Sequence, residues 1–383
     1  MALLDNEKIS DKKQNKSDKV LLSIIIVLIV LIIIIISAMV YFLGVAETLN
    51  PKLSISLNGQ INDELLNEIV VQDDSNYIPI KEIASVVGYE AYNGDYIYVS
   101  EDSNKCHVIM NNEEVIQFTV DSNEAYKIKL NENLPYATIT LNSPIISKNN
   151  DLYIDLTDIT NSMYIYADIN EKNEVEIYSL ENMYIIYNSF TQGLGYTEIV
   201  NTFTNQKAIL NDIIICKNNK NKYGVINSNG DIIIEHKYED IQYIEQTQDF
   251  IVTYNGMKGI INNKQTKIGI SYDEIQYVYY ANIYAVTSNK KVGFFNTNGS
   301  QIIGFNYDEV GSTTSVKNAK GVKYIDTKGL IVVKNNGKYG LISKDGSMIV
   351  DFYLNDVYSI ISNGKLEYYV VTDTNTLNIN AIV

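Results

Sequence analysis

Four glycines in the C-terminal half, Gly224, Gly259, Gly293 and Gly340, recur at intervals of 35, 34 and 47 residues, and a tyrosine keeps time with each. Tyr238, Tyr272, Tyr307 and Tyr353 follow their glycines by 14, 13, 14 and 13 residues, and the first three lead into two acidic residues and then Ile or Val. Two landmarks in register define a tandem repeat, so the fold must be one in which neighbouring copies cover one another. The longest interval exceeds the one before it by 47 − 34 = 13 residues, an insertion placed around Ser312 to Tyr324.

Each copy reads as two alternating apolar strands joined by a tight turn, such as Asn229-Gly230, Asn298-Gly299 or Asp345-Gly346, then a third strand after the tyrosine step. The turn residues supply the positive φ of a primed hairpin turn, and the strands are rich in β-branched and aromatic residues. A lone hairpin of this size buries too little to be stable, so the copies are expected to stack into a β-hairpin repeat array, solenoid-like or an incomplete propeller, over residues 183–383. A degenerate earlier copy is expected near Leu194-Gly195. The stretch resembles the WG-repeat family, in which a Trp-Gly pair opens each copy and a Tyr-Asp-Glu-Ile-like step closes it. Here the Trp position holds Tyr223, Lys258, Val292 and Tyr339. The resemblance implies a surface or envelope β-repeat protein.

Upstream, Tyr77-Ile78-Pro79-Ile80-Lys81-Glu82-Ile83-Ala84-Ser85-Val86-Val87-Gly88 predicts a strand and a short amphipathic helix, with Ile80, Ile83, Ala84 and Val87 on one face and Gly88 as the stop. A hairpin of Tyr89–Tyr92 with Tyr96–Val99 is expected across Asn93-Gly94-Asp95. The pattern returns 76 residues on, at Tyr153-Ile154-Asp155-Leu156-Thr157-Asp158-Ile159, followed by a second hairpin through Asn170 to Asn173. Residues 53–180 are therefore read as a duplicated α+β stalk domain sharing one core. The order of strand, short helix, glycine and hairpin resembles the copper amine oxidase N-terminal-like domain. Tyr92 stands where that family has Trp, and the second copy lacks both Pro79 and Gly88 equivalents. Copper(II) prefers several imidazoles, and this region offers only His107, so no metal, cofactor or active site is carried over.

Val20 to Gly44 contains no charged residue, and twenty-five helical residues reach about 37 Å, enough for a hydrocarbon core of about 30 Å. A transmembrane helix is expected over 20–44. Lys8, Lys12, Lys13, Lys16 and Lys19 precede it and only Lys52 lies close beyond, which places the tail 1–19 in the cytoplasm and the bulk outside. The rival is a secretory signal cut after Ala46, but the apolar stretch is about twice a signal core, which favours an uncleaved anchor. The localisation expected is the cell membrane, single-pass, in a bacterium.

Residues 20–383 carry 25 basic against 42 acidic side chains, a net charge of −17, and the chain has no Arg. Nucleic acid is excluded as a partner, because phosphate recognition leans on Arg and an acidic surface repels a polyanion. No GxxxxGK[ST] or GxGxxG loop supports nucleotide binding. Cys106 and Cys216 are read as separate buried thiols and His107 and His236 as strand-borne spectators.

Asn227-Ser228-Asn229-Gly230-Asp231 raises a calcium loop, but the leading positions lack a carboxylate, so a hairpin turn is the reading. Tyr272, Tyr277, Tyr279, Tyr280 and Tyr284 are the candidate ligand-binding residues, weighed against ordinary packing between strands. Together these readings predict a membrane-anchored binding or scaffold protein, without catalysis, recognising a protein or cell-wall glycan through its repeat surface. The alternative is a sensory or regulatory ectodomain that works with a membrane partner, since a cytoplasmic tail of 19 residues is too short for catalytic output.

Overall fold

The computed structural model describes residues 28–29, 31–39, 53–73, 75–96, 104–130, 135–170, 173–262, 265–362 and 365–382. The chain forms two units, residues 1–54 with 169–175 and residues 55–168 with 176–383. In the first unit, residues 28–29 and 31–39 are helical, and Leu28, Ile29, Leu31 to Ile36 and Met39 are 47–62% exposed. Most of the expected span over 20–44, and the whole tail 1–19, lie outside the described residues. Among the described residues no helix is long and apolar enough to cross a membrane. The turn Asn170 to Asn173 is closed by Asn170 N–H on the Glu174 carbonyl and Asn173 N–H on that of Asn170.

The second unit is mainly β. Its central sheet has the order Ile146–Lys148, Asp151–Asp155, Ser75–Pro79, Val70–Gln72, all antiparallel. The two copies of the duplicated motif meet there, with Tyr77 opposite Asp155, Ile78 opposite Ile154, and Pro79 opposite Tyr153. Helix Ile80–Val86 follows the first strand, and a 3-10 turn Leu156–Asp158 with helix Ile159–Met163 follows the second. They bury Ile80, Ile83 and Ala84 on one side and Leu156, Ile159 and Met163 on the other.

The second arm of the first expected hairpin, Tyr96–Val99, lies outside the described residues except for Tyr96, a turn residue. Strand Glu90–Asn93 pairs with Lys105–Met110. That strand opens a five-stranded meander, continued by Lys105–Met110, Glu114–Thr119, Glu124–Lys129 and Pro135–Thr140 and inserted between the two copies.

The array contains five antiparallel sheets among the described residues. The first holds Glu198–Ile199, Ile214–Lys217, Tyr223–Ile226 and Ile232–Tyr238, and the second Asp240–Ile244, Asp249–Tyr254, Met257–Asn262 and Gln265–Tyr272. The third holds Glu274–Val278, Ile283–Ser288, Lys291–Asn296 and Gln301–Tyr307, and the fourth Glu309–Val310, Tyr324–Ile325, Leu330–Asn335, Lys338–Ser343 and Met348–Leu354. Asp356–Ser362, Lys365–Val371 and Thr376–Asn378 make the fifth, and the insertion supplies its edge strand Lys320–Gly321.

Apolar clusters join the sheets in sequence order. Val225 and Ile234 pack with Ile241 and Val252, Ile260 and Ile268 with Ile275 and Phe295, Phe294 and Tyr307 with Ile331 and Ile342, and Leu341 and Leu354 with Val357 and Tyr368. Each sheet thus supplies half a core, as stacked repeats require.

Three readings of the repeat change. The copy read from sequence straddles two sheets, because the chain leaves one at Tyr238, Tyr272 or Tyr307 and begins the next at Asp240, Glu274 or Glu309. At two of these joints the carboxylate of the acidic residue in between ties the sheets together. The Glu239 carboxylate accepts the N–H groups of Asn255 and Gly256 in the second sheet's turn, and Asp308 accepts that of Asn336 in the fourth.

The turns also exchange roles. Asn255-Gly256, Asn289-Lys290 and Asn336-Gly337 have positive φ at both residues, as primed turns demand, whereas at Asn229-Gly230 and Asn298-Gly299 only the glycine does.

The fourth tyrosine anchor is the third change. Tyr223 pairs with Tyr238, Lys258 with Tyr272, Val292 with Tyr307, and Tyr339 with Leu354. Leu354 is fully buried while Tyr353 is 45% exposed, because neighbouring strand residues point to opposite faces.

The four lead glycines sit at bulges where the last strand of each sheet crosses closely. A Cβ on Gly224 would lie 2.5 Å from the His236 ring, and one on Gly259 2.8 Å from the Ile270 Cα. At Gly293 it would meet the Ile303 carbonyl at 2.9 Å, and at Gly340 the Phe352 ring and Val350 carbonyl at 3.0 Å.

No sheet forms at Leu194-Gly195, where helix Leu180–Gly193 ends with Gly195 at φ +92°. This helix occupies the first residues assigned to the array, and its Tyr184, Tyr187 and Phe190 cover Ile199, Ile214, Cys216 and Ile226 of the first sheet.

Candidate functional site

A buried cluster of charges lies where the meander, helix Phe203–Ile209 and the first strands of the array sheets come together. Strand pairing places Glu114 directly opposite Lys129, and alternation puts Lys127 on the same face as Lys129. Thr202 caps the helix by accepting the Asn205 N–H, and the helical period then sets Phe203 and Lys207 one turn apart on one face. Glu245 follows the strand Asp240–Ile244, and Tyr279 follows Glu274–Val278.

Glu114 is fully buried, and its Oε1 accepts from Lys207 Nζ at 2.7 Å and from Lys129. Among the described residues nothing donates to its Oε2. Lys127 donates to Glu245 Oε1 at 3.2 Å, and the Tyr164 hydroxyl to Glu245 Oε2 at 3.0 Å. The Lys127 and Lys207 ammonium groups lie 4.0 and 4.7 Å from the centre of the Tyr164 ring, and Lys129 lies 4.9 Å from that of Tyr136. Tyr136 and Tyr279 meet edge to face at 5.2 Å. Glu114, Lys129, Lys207, Glu245, Tyr136 and Tyr279, with Tyr243, Asn211 and Gln246, line a cleft enclosing about 30 Å³, room for one or two waters.

Burial alone would push the Glu114 carboxyl up, but Lys207 and Lys129 overcome it and hold the group at about 2, so it is ionised. Burial lowers the Lys127 ammonium against the pull of Glu245 and Glu114. Burial also raises the Tyr136 and Tyr164 hydroxyls, reinforced by the neighbouring carboxylates, so both rings stay neutral. The cluster holds three lysines and two glutamates, one positive charge in excess within an acidic chain. Removing one member of such a buried pair typically costs about 3–5 kcal/mol.

Sequence reasoning missed this site. Glu114 and Lys207 are 93 residues apart, and the only local signal is that Lys127 and Lys129 alternate onto one face of a strand.

The five candidate tyrosines do not form one exposed platform. Tyr277 and Tyr284 are buried, the first donating to Asn282 Oδ1 at 2.6 Å and the second to Asp249. Tyr272 stacks on Phe305 at 5.7 to 5.8 Å from both Phe295 and Phe305, and Tyr280 lies parallel to Tyr324. Tyr279 alone of the five lines the cleft. Their hydrophobic ring faces serve the stacking of sheets, which is why they do not gather on one exposed face.

Cys216 and His236, expected to be unrelated, are brought together with Sγ 3.3 Å from Nε2, and Tyr196 stacks on the imidazole at 4.5 Å. Burial pushes the Cys216 thiol up to about 12 and the His236 imidazole down, so the pair is a neutral thiol beside a neutral ring, without the thiolate a nucleophile needs. His107 stacks on Tyr92. No group of three His, Cys, Asp or Glu among the described residues could hold a metal ion. At Asn227 the side-chain oxygen accepts the N–H groups of Asn229 and Asp231, closing the turn that the calcium reading would open.

No curated protein matches the chain. Among solved structures, a eukaryotic initiation factor is 10% identical with a TM-score of 0.26, over 42% of this chain and 48% of that one, so the chain spans about half its length. BamB from Moraxella catarrhalis is 10% identical with a TM-score of 0.24, over 81% and 94% of the two chains. PorZ from Porphyromonas gingivalis is 6% identical with a TM-score of 0.23, over 70% and 37%. Likenesses this loose carry no argument about the chain. The sequence of the array does carry one: residues 223–246, which hold Gly224 with Tyr238, and residues 293–315, which hold Tyr307 beside Gly293, both match the WG containing repeat.

Proposed function

We propose that this chain is a membrane-anchored extracytoplasmic binding protein, with an α+β part akin to the copper amine oxidase N-terminal-like domain and an array of WG-type repeats that together recognise a protein or cell-wall glycan. The observation that carries the binding role is the polar cleft at Glu114, where charged groups from distant parts of the chain converge behind a wall of tyrosine rings. Clefts with a few convergent polar groups among aromatic side chains are the usual form of a ligand site.

Anchoring is supported by the uncharged run Val20 to Gly44 and by the exposed Leu and Ile side chains of the helical residues 31–39, which water does not favour. Protease treatment of intact cells tests the topology. Digestion of everything beyond residue 50 with the N-terminal tail spared is expected, and protection of the array would overturn the placement. A screen of the full-length protein in detergent micelles against cell-wall glycans and surface proteins tests the binding role, and failure to retain any of them would remove it.

A further inference from the structure

We infer that the Glu114 cleft is a sugar subsite, taking two neighbouring hydroxyl groups of a glycan residue, an inference that rests on the binding role proposed above and names its ligand class. Glu114 has no exposed surface, yet only its Oε1 is engaged, by Lys207 at 2.7 Å and by Lys129. Its Oε2 accepts no hydrogen bond among the described residues. Leaving a buried carboxylate oxygen bare is costly, so the enclosed space supplies a donor, and a ligand hydroxyl there takes the place of a water. Each ammonium carries three N–H groups, which leaves donors beside that acceptor.

An acceptor flanked by donors fits a vicinal diol, in which one hydroxyl donates to Oε2 and its neighbour accepts from a lysine. A simple anion meets the lysines but is repelled at Oε2, and an ammonium ligand meets the reverse conflict. The enclosed space of about 30 Å³ admits hydroxyl groups and not a sugar ring. The ring therefore lies at the mouth, beside half-buried Tyr279 and the exposed Asn211 and Gln246. An amphipathic ring next to charged hydrogen-bonding groups suits a sugar, which has both C–H faces and hydroxyl edges.

The test is saturation-transfer NMR and titration calorimetry on the full-length protein in micelles, with methyl glycosides of glucose, galactose, mannose and N-acetylglucosamine, their fully O-methylated forms, and sodium phosphate. Binding of at least one glycoside, loss of binding on O-methylation, and no competition by phosphate are expected. Glu114→Gln is expected to weaken that glycoside at least tenfold. Because Glu114→Gln removes a buried charge and can unfold the chain, Asn211→Ala with Gln246→Ala at the exposed mouth gives a second readout, a loss of about threefold with an unchanged circular dichroism spectrum.

Phosphate competing with the glycoside, or O-methylated forms binding equally well, would overturn the diol assignment. Full glycoside affinity in a folded Glu114→Gln protein or in the mouth variant would overturn the cleft as the site while leaving the binding role intact. Absence of any glycoside binding would overturn the sugar class, and the role itself falls only if the protein and cell-wall screen is also empty.

Discussion

Ile78 and Ile154 lie directly opposite each other in the central antiparallel pair, both fully buried, and they are the same position of two copies that are 154 − 78 = 76 residues apart. The duplicated motif therefore closes on itself about a local two-fold relation, each copy covering the other's strand. Truncating Ile78→Ala or Ile154→Ala is expected to cost about 2–5 kcal/mol each, the range for emptying a well-packed site. Because the two share one cavity, the double variant is expected to differ from the sum by about 0.5 kcal/mol or more. Urea unfolding of the four proteins of the cycle measures both, and strict additivity would mean that the copies do not share a core.

The glycines of the repeat separate two kinds of constraint. Gly259→Ala drives a Cβ to 2.8 Å from the Ile270 backbone, which only a shift of the crossing strand relieves. A cost of about 1–3 kcal/mol is expected, as for overpacking elsewhere. Gly256→Ala meets nothing within 4 Å and suffers only from its φ of +75°. About 1–2 kcal/mol is expected from that conformation. Gly259→Ala is also expected to alter hydrogen exchange in strand Gln265–Tyr272, which Gly256→Ala leaves unchanged.

What the sequence could disclose followed from periodicity. The lead glycines, the first three closing tyrosines and the Tyr77–Ile83 and Tyr153–Ile159 pair were legible because a repeat prints the same physical demand several times. The meander from Glu90 to Thr140 was not, since nothing in the chain repeats it. Helix Leu180–Gly193 had a signal that alternating strand patterns obscured, with Ser179 accepting the Asn182 N–H as a cap and Leu180, Met183, Tyr184 and Tyr187 at helical spacing. The Glu114 cleft had only the alternation of Lys127 and Lys129 onto one strand face, because its partners are gathered by tertiary packing from four distant segments.

Acid should loosen the joints between sheets before it unfolds the cores. The Gly256 N–H bond, aided by the Asn255 N–H and Lys222, holds the Glu239 carboxyl below its ordinary 4.5, and the Lys291 and Asn336 donors lower Asp308 likewise. A carboxyl lowered on folding binds fewer protons in the folded state, so its contribution is full above the unfolded value and is lost as pH falls through the folded one. Protection of the Gly256 amide is therefore expected to fall as pH drops below 4.5, and that of the Asn336 amide only as pH drops below 3.8. Glu239→Gln should abolish that dependence at Gly256 and leave it at Asn336.

Both thiols are expected to be silent in the folded protein. Cys106 and Cys216 are fully buried, and burial pushes each thiol up to about 12. An aromatic disulfide reagent at pH 8 should therefore titrate no thiol in the native protein and two in denaturant. Rapid modification of Cys216 in the native state would instead mean that His236 ionises it, and would reopen a nucleophilic role for the pair.

The fourth repeat tests the register of the whole array. Leu354 is fully buried against Leu341 and Val357 and pairs with Tyr339, whereas Tyr353 is 45% exposed one residue earlier. A slip of one residue exchanges every side chain between the faces of a strand, so the two positions cannot both be anchors. Leu354→Ala is expected to destabilise the protein by about 2–5 kcal/mol. Tyr353→Ala, on the solvent side, should stay within about 0.5 kcal/mol of the parent. Thermal unfolding of the two variants decides the matter, because a strand that kept the 13-residue spacing of Tyr272 from Gly259 would reverse the order of the two effects.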